Sequence, residues 1–166
     1  MLYATLPCHS PGLDIDAILL EVGARFELDW EGIHGFPHWA RVHAEGVRIA
    51  GIREGNLKVV ELFAVLHDSC RENDFRDPHH GPRAAEYARS LADKAFELKP
   101  KELDQLCHAI KMHSRGLMSL DPTIQSCWDA DRLDLRRIGI VPDPRLLSKE
   151  AFHLAKPMSS DDTPMR

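Results

Sequence analysis

The chain has 166 residues, of which 43% are hydrophobic and 28% charged, and its formal net charge is −5. That is the balance of a globular protein long enough to enclose one sizeable core. It excludes the strongly basic face of a duplex-binding protein, so no bulk nucleic-acid partner is expected, whereas small anionic substrates stay open through local arginines or a metal.

In chain order, the first fourteen residues lack a basic region and are broken by Pro7 and Pro11, so no signal peptide is expected. Residues 14–26 predict a helix with Ile15, Ile18, Leu19, Val22 and Phe26 on one side. A turn, DWEGIHGF, follows, and Pro37 suits the first position of a helix running to about residue 52, where Gly55 and Asn56 break it. LKVVELFAVLHDSC is apolar almost all round and free of Gly and Pro, which marks a helix buried at the centre of the fold. RENDFRDPHHGP reads as a polar loop. Helices are expected at about 82–98, 101–113 and 122–138, with Pro100 and Asp121-Pro122 as start signals, and a short one at 148–155. No strand pattern appears and no apolar run approaches the ~20 residues that span a bilayer. The expected class is all-α, with one helical domain over residues 1–155 and a disordered tail, KPMSSDDTPMR. The four cysteines, Cys8, Cys70, Cys107 and Cys127, form no CxxC pair, and are read as reduced thiols of a cytoplasmic protein.

Ten histidines is the unusual count. Chance alone gives about one His-Asp doublet in such a chain, so His67-Asp68 carries weight only through its position at the end of the most apolar helix. A carboxylate and an imidazole carried into a core need partners there, because an unpaired buried charge costs several kcal/mol. An arginine, a nearby helix end or a metal would each serve.

Helical phase selects further polar groups that point inward. On the last long helix Asp129 and Asp131 are two residues apart, about 200° around the axis. Asp131 shares a stripe with Ile124, Cys127, Trp128 and Leu135, so it is read as the inward one. His113 continues the stripe of Leu103, Leu106, Ala109 and Ile110, whereas His108 lies with Lys101, Asp104 and Lys111. His38 lies one turn from Val42 and on the side of Ile49, with His43 rotated away. His80 is a sixth candidate, although Gly81-Pro82 leaves its phase open. Mixed imidazole and carboxylate donors suit Mn, Fe, Co, Ni or Zn better than Ca, and do not choose among them.

His38 followed by Val42 (HWARV), the buried helix ending in His67-Asp68, and Ala130-Asp131 of WDADRLD resemble the HD-domain metal-dependent phosphohydrolase superfamily over about residues 34–140. The resemblance implies a bundle of five or more helices around a central metal held by His38, His67, Asp68 and Asp131. HHGPRAA and IKMH resemble members with two ions, which implies that His80 and His113 bind the second and that Asp68 bridges both. The Gly-Tyr-Pro signature of cyclic-dinucleotide phosphodiesterases is missing. Arg71 stands where the alarmone hydrolases have a Glu, so neither substrate is expected.

The expected activity is hydrolysis of a phosphomonoester or phosphodiester, of a nucleotide or another small molecule, by a metal-activated water. Asp68 ligates and orients that water, His113 or His80 binds a second ion or serves as acid, and Arg71 clamps phosphate, with Asn73, Arg41 and Arg132 beside it. His34, in the turn before Pro37, either reaches the pocket or has no role. The alternatives are a di-iron oxygenase on the same scaffold and a regulatory module without turnover. No membrane partner is expected.

Overall fold

Helix α3 (Leu57–Leu66) is the axis around which the chain is arranged, as its nearly uniform apolarity requires. Val59 through Leu66 are all buried, and Asn56 caps the helix by accepting the Val59 N–H on its side chain. The computed structural model describes residues 5–155, and the expected disordered tail lies outside the described residues. The other helices are α1 (Ile15–Gly23), α2 (Phe36–Arg53), α4 (His80–Leu91), α5 (Pro100–Met112), α6 (Pro122–Leu133) and α7 (Lys149–Ala155). Short 3-10 turns follow α5 at His113–Arg115 and α6 at Asp134–Ile138, and a third spans Pro144–Leu146. The chain is all-helical: among the described residues there is no strand, only an isolated bridge between Ala92 and Phe96. No described helix is long and apolar enough to cross a membrane.

Helices α1, α2, α4, α5 and α6 all pack on α3, and the side chains they bury there form one continuous core. Phe26, Trp30, Phe36 and Trp39 make an aromatic cluster where α2 begins, with ring centroids 5.0–6.1 Å apart. Polar groups also enter the core away from the doublet. Glu61, on α3, is fully buried beside His43 and accepts the His9 N–H at 2.7 Å, so it ties the N-terminal segment to the bundle. His43 is thus rotated away from the doublet, as its phase requires, yet it is buried and not exposed.

The helix expected at 14–26 ends at Gly23, and two others are also shorter than their patterns. The run expected at 82–98 begins earlier, at His80, because Pro82 falls in the first turn, where its missing N–H costs nothing. It stops at Leu91, after which Ala92 is extended and Asp93 is left-handed at φ 63°. The run expected at 122–138 is α-helical only to Leu133 and then tightens into a 3-10 turn closed by Gly139 at φ 77°.

The connectivity sorts the polar residues. The N-termini of α2 and α4 and the C-termini of α3, α5 and α6 lie at one end of the bundle, where the doublet sits. Asn56 at the α2–α3 turn bonds Thr123 and Glu102, which marks the opposite end.

Candidate metal centre

The His67-Asp68 doublet begins at the C-cap of α3, and both residues are buried. His38, from the first turn of α2, brings its Nε2 to 3.0 Å from the Nε2 of His67. On the other side His80, the first residue of α4, and His113, just past α5, bring their Nε2 atoms to 2.9 Å from each other. Gly81 permits that approach: a Cβ there would lie 2.9 Å from the carbonyl oxygens of both Ile110 and Lys111.

Asp68 lies between the two pairs. Its Oδ2 is 3.7 Å from His38 and 3.9 Å from His67, and its Oδ1 is 3.4 Å from His80 and 3.5 Å from His113. Asp131 reaches the first pair alone, with Oδ1 3.5 Å from His38 and 3.7 Å from His67. Two groups result that could hold a metal ion: His38, His67 and Asp68, and Asp68, His80 and His113.

The ring tautomers follow from what the Nδ1 atoms face. His67 Nδ1 is 3.1 Å from the carbonyls of both Phe63 and Ala64, and His113 Nδ1 is 2.6 Å from that of Ile110. His80 Nδ1 bonds the carbonyl of Asp77, and His38 Nδ1 lies 2.7 Å from Asp134 Oδ2. Carbonyls and carboxylates accept, so each Nδ1 must donate. In the neutral ring the Nε2 atoms then carry lone pairs, and those lone pairs meet head-on in two pairs. A shared cation removes that repulsion. Two imidazole nitrogens about 90° apart on one ion, each at ~2.1 Å, lie about 3.0 Å from each other. The donor set therefore fits divalent transition metals.

The titration behaviour agrees. Burial holds the His67 pKa down to about 3, so that ring is neutral. Burial pushes the Asp68 carboxyl up, but His67, hydrogen bonds from His113 and His34, and the Arg71 charge together hold it well below the usual carboxylate range. Asp131 is likewise lowered: desolvation is outweighed by His67, His113 and His38. Burial works to lower the His113 pKa, but its contact with Asp68 and the field of Asp131 outweigh that and raise it.

Three further groups complete the site. His34 donates from Nδ1 to Asp68 Oδ2 at 2.9 Å, while its Nε2 is 3.3 Å from the Asp74 carbonyl. It reaches this position because the chain doubles back at Gly35, where a Cβ would collide with the Trp30 carbonyl at 2.1 Å. Arg71 donates from Nε to Asp68 Oδ1 at 3.0 Å. Asp134, which sequence reasoning did not single out, accepts from His38 and from Arg41 (2.6 Å), with Arg137 at 3.4 Å. Arg137 in turn donates to the Ile33 carbonyl at 2.7 Å. Asp134 fixes the orientation of His38, so Asp134→Asn is expected to weaken metal affinity by ~10–100-fold with little change in fold; a competitive chelator titration measures it.

Other expectations need correction. Asp129 is not a solvent-facing alternative to Asp131. It is fully buried on the opposite side of α6, where its carboxylate accepts the Ser148 N–H at 3.2 Å and a Gln125 amide N–H at 2.7 Å. Burial raises its pKa, and the Ser148 and Gln125 hydrogen bonds and the Arg132 charge only partly oppose that. Arg132 does not face phosphate either: it is buried and donates to the carbonyls of Leu146 (2.6 Å) and Leu117 (2.5 Å). Asn73 serves its own turn by accepting the Phe75 N–H. His108 is exposed, and Cys127 is a buried core residue. Two substitutions separate the faces of α6. Asp131→Asn is expected to lower metal affinity by at least about 10²-fold, and Asp129→Asn to cost about 1–2 kcal/mol of stability with metal affinity unchanged. Metal titrations and thermal melts on both variants read the contrast.

No family model and no curated protein matches the chain. Among solved structures it is similar to a predicted HD superfamily hydrolase from an uncultured Thermotogales bacterium, at 27% identity. The match covers 83% of this chain and 80% of that one, with a TM-score of 0.65.

Proposed function

We propose that this chain, which has the helical fold of the HD superfamily and its ordered histidine and aspartate motifs, is a metal-dependent phosphohydrolase acting on a small phosphate ester. The observation that carries the reading is the pairing of four Nε2 lone pairs, at 2.9 and 3.0 Å, around the single carboxylate of Asp68. His38, His67, Asp68 and Asp131 hold one ion in this reading, and His80 and His113 hold a second that Asp68 shares. When bound, the ions supply Lewis acidity and a water of lowered pKa.

The chain's own groups do the rest. Asp68, held as a carboxylate, orients the attacking water. Arg71 keeps Nε on Asp68 and Nη1 on the Asn73 carbonyl at 3.3 Å, which leaves Nη2 to receive a phosphate oxygen. His34, hydrogen-bonded to Asp68 from Nδ1, holds that carboxylate in orientation in this reading. His113 faces the cluster with Nε2, so it is assigned to metal binding and not to acid catalysis.

The test is metal analysis of purified protein, followed by phosphatase and phosphodiesterase assays with Mn, Co, Ni and Mg added. Metal-dependent release of alcohol or phosphate supports the reading, and its absence with every metal and ester counts against it. The carboxylate shared between two three-donor groups also suits a di-iron oxygenase. Iron in the protein with substrate-dependent oxygen consumption, and no hydrolysis, would favour that second reading.

A further inference from the structure

The residues that follow the doublet open onto a cavity of about 400 Å³, lined by the segments after α1 and α3 and by α4. Three arginines, three glutamates, two serines, Cys70 and Tyr87 make the lining, and no aliphatic side chain does. Ser69, Cys70 and Arg71 come directly after Asp68. Arg71 joins the cavity to the metal donors, because its Nε bonds Asp68 Oδ1 at 3.0 Å. A substrate whose phosphate meets Arg71 therefore has this cavity beside it for the rest of the molecule.

The charges in the lining differ in what holds them. Arg83 serves the fold: it donates to the Cys70 carbonyl from Nε (3.2 Å) and Nη2 (2.8 Å), and Asp77 and Glu72 compensate its charge. Arg25, just past α1, lies with its guanidinium carbon 4.2 Å over the ring of the buried Tyr87. Among the described residues no carboxylate forms an ion pair with it. The ring sets its position, so Arg25 presents a placed cation without an anion. Glu27 and Glu86 are exposed, and among the described residues no hydrogen bond or ion pair fixes either side chain.

The same stacking disfavours other occupants. Tyr87 is the one aromatic side chain of the lining, and Arg25 lies over its ring, so a nucleobase finds no free aromatic face. An alkyl chain finds no apolar wall. Resting on the phosphohydrolase reading above, we infer that the substrate is a small phosphate ester carrying a second anionic group, a carboxylate or another phosphate, which Arg25 binds in this cavity while Arg71 receives the reacting phosphate. A guanidinium fork takes either anion through two parallel N–H bonds. In the reaction the oxygen of water bonds to phosphorus, the bond from phosphorus to the ester oxygen breaks, and one proton of the water passes to that oxygen. The products are inorganic phosphate and an alcohol that keeps the second anion.

Phosphonates, which are not hydrolysed, test this by binding. Calorimetry on the metal-loaded protein compares n-alkyl phosphonates with chains of equal length, two to four carbons, that end in a carboxylate, a second phosphonate or an ammonium group. The anionic ends are expected to bind about 10- to 100-fold more tightly than the alkyl ends, and the tighter of the two identifies the second group. That preference is expected to be lost in Arg25→Gln. Equal affinity for alkyl and anionic ends, or a preference that Arg25→Gln keeps, overturns the inference. Tighter binding of the ammonium ends overturns it by assigning the cavity to Glu27 and Glu86. Assays of the corresponding phosphate esters separate the inference from the reading beneath it. Hydrolysis of alkyl phosphates with no preference among the ends overturns the inference and leaves the phosphohydrolase reading standing. The anionic preference without hydrolysis of any ester overturns that reading and leaves Arg25 as an anion site.

Discussion

Asp68→Asn is expected to remove both metal binding and turnover while leaving the helical circular dichroism of the metal-free protein in place. One carboxylate stands 3.4–3.9 Å from four imidazoles, and among the described residues no other carboxylate comes within 4.0 Å of both pairs. The amide keeps the volume and one acceptor, so the core is not opened, but the negative charge shared by both groups is lost. Saturating metal at ~10³ times its Kd stabilises the native wild type by about 4 kcal/mol, on the order of 10 °C in Tm for a chain of this size. The variant should lose that increment as well. Retained metal stoichiometry in Asp68→Asn would refute the assignment of both groups.

The paired variant His80→Ala/His113→Ala is expected to bind about half the metal of the wild type and to lose most turnover. His38, His67, Asp68 and Asp131 remain as a complete set, whereas the second group keeps one carboxylate oxygen. Two ions clamp attacking and leaving oxygens together, and one does not. His108→Ala, on the exposed face of α5, is the control and should be silent. The sign of the pH dependence follows from His113. Its pKa is raised, so the proton persists there to higher pH and must leave before the second ion enters. Affinity for the second ion should therefore fall as pH drops through that raised pKa. Full metal content in the paired variant, measured by elemental analysis after dialysis, would show a mononuclear site.

What could be read from the residues alone depended on periodicity. A helix with a regular stripe, such as α5, is legible together with the side each polar residue occupies, because phase is a local property of the chain. Phase singles out His38, His113 and Asp131, and the place at the end of the most apolar helix singles out His67 and Asp68; the structure brings them together. His34 sits in a turn, where no phase exists to rank it, and its contact with Asp68 depends on the tight reversal at Gly35. Asp134 lies where α6 has already become a 3-10 turn, and its partner His38 is 96 residues away. No local signal links them. Asp129 and Arg132 were misplaced for a third reason: the side of α6 that carries them is covered by residues 146–148, from an irregular stretch without a pattern to announce what it packs against.

The hydrogen bonds from ring Nδ1 atoms to nearby carbonyls have a consequence for how the centre meets its ion. Helix ends leave carbonyls without intrahelical donors, and His67 and His113 bond carbonyls in the last turns of α3 and α5, while His80 bonds the carbonyl that precedes α4. Bonds that help terminate these helices also set the protonation pattern of the rings. The donors are thus preorganised by secondary structure before any metal arrives, and the ordering of three of the rings belongs to folding and not to binding. A scaffold of this kind can exchange one transition metal for another without rebuilding its interior. The choice of ion is then left to ligand chemistry and metal supply.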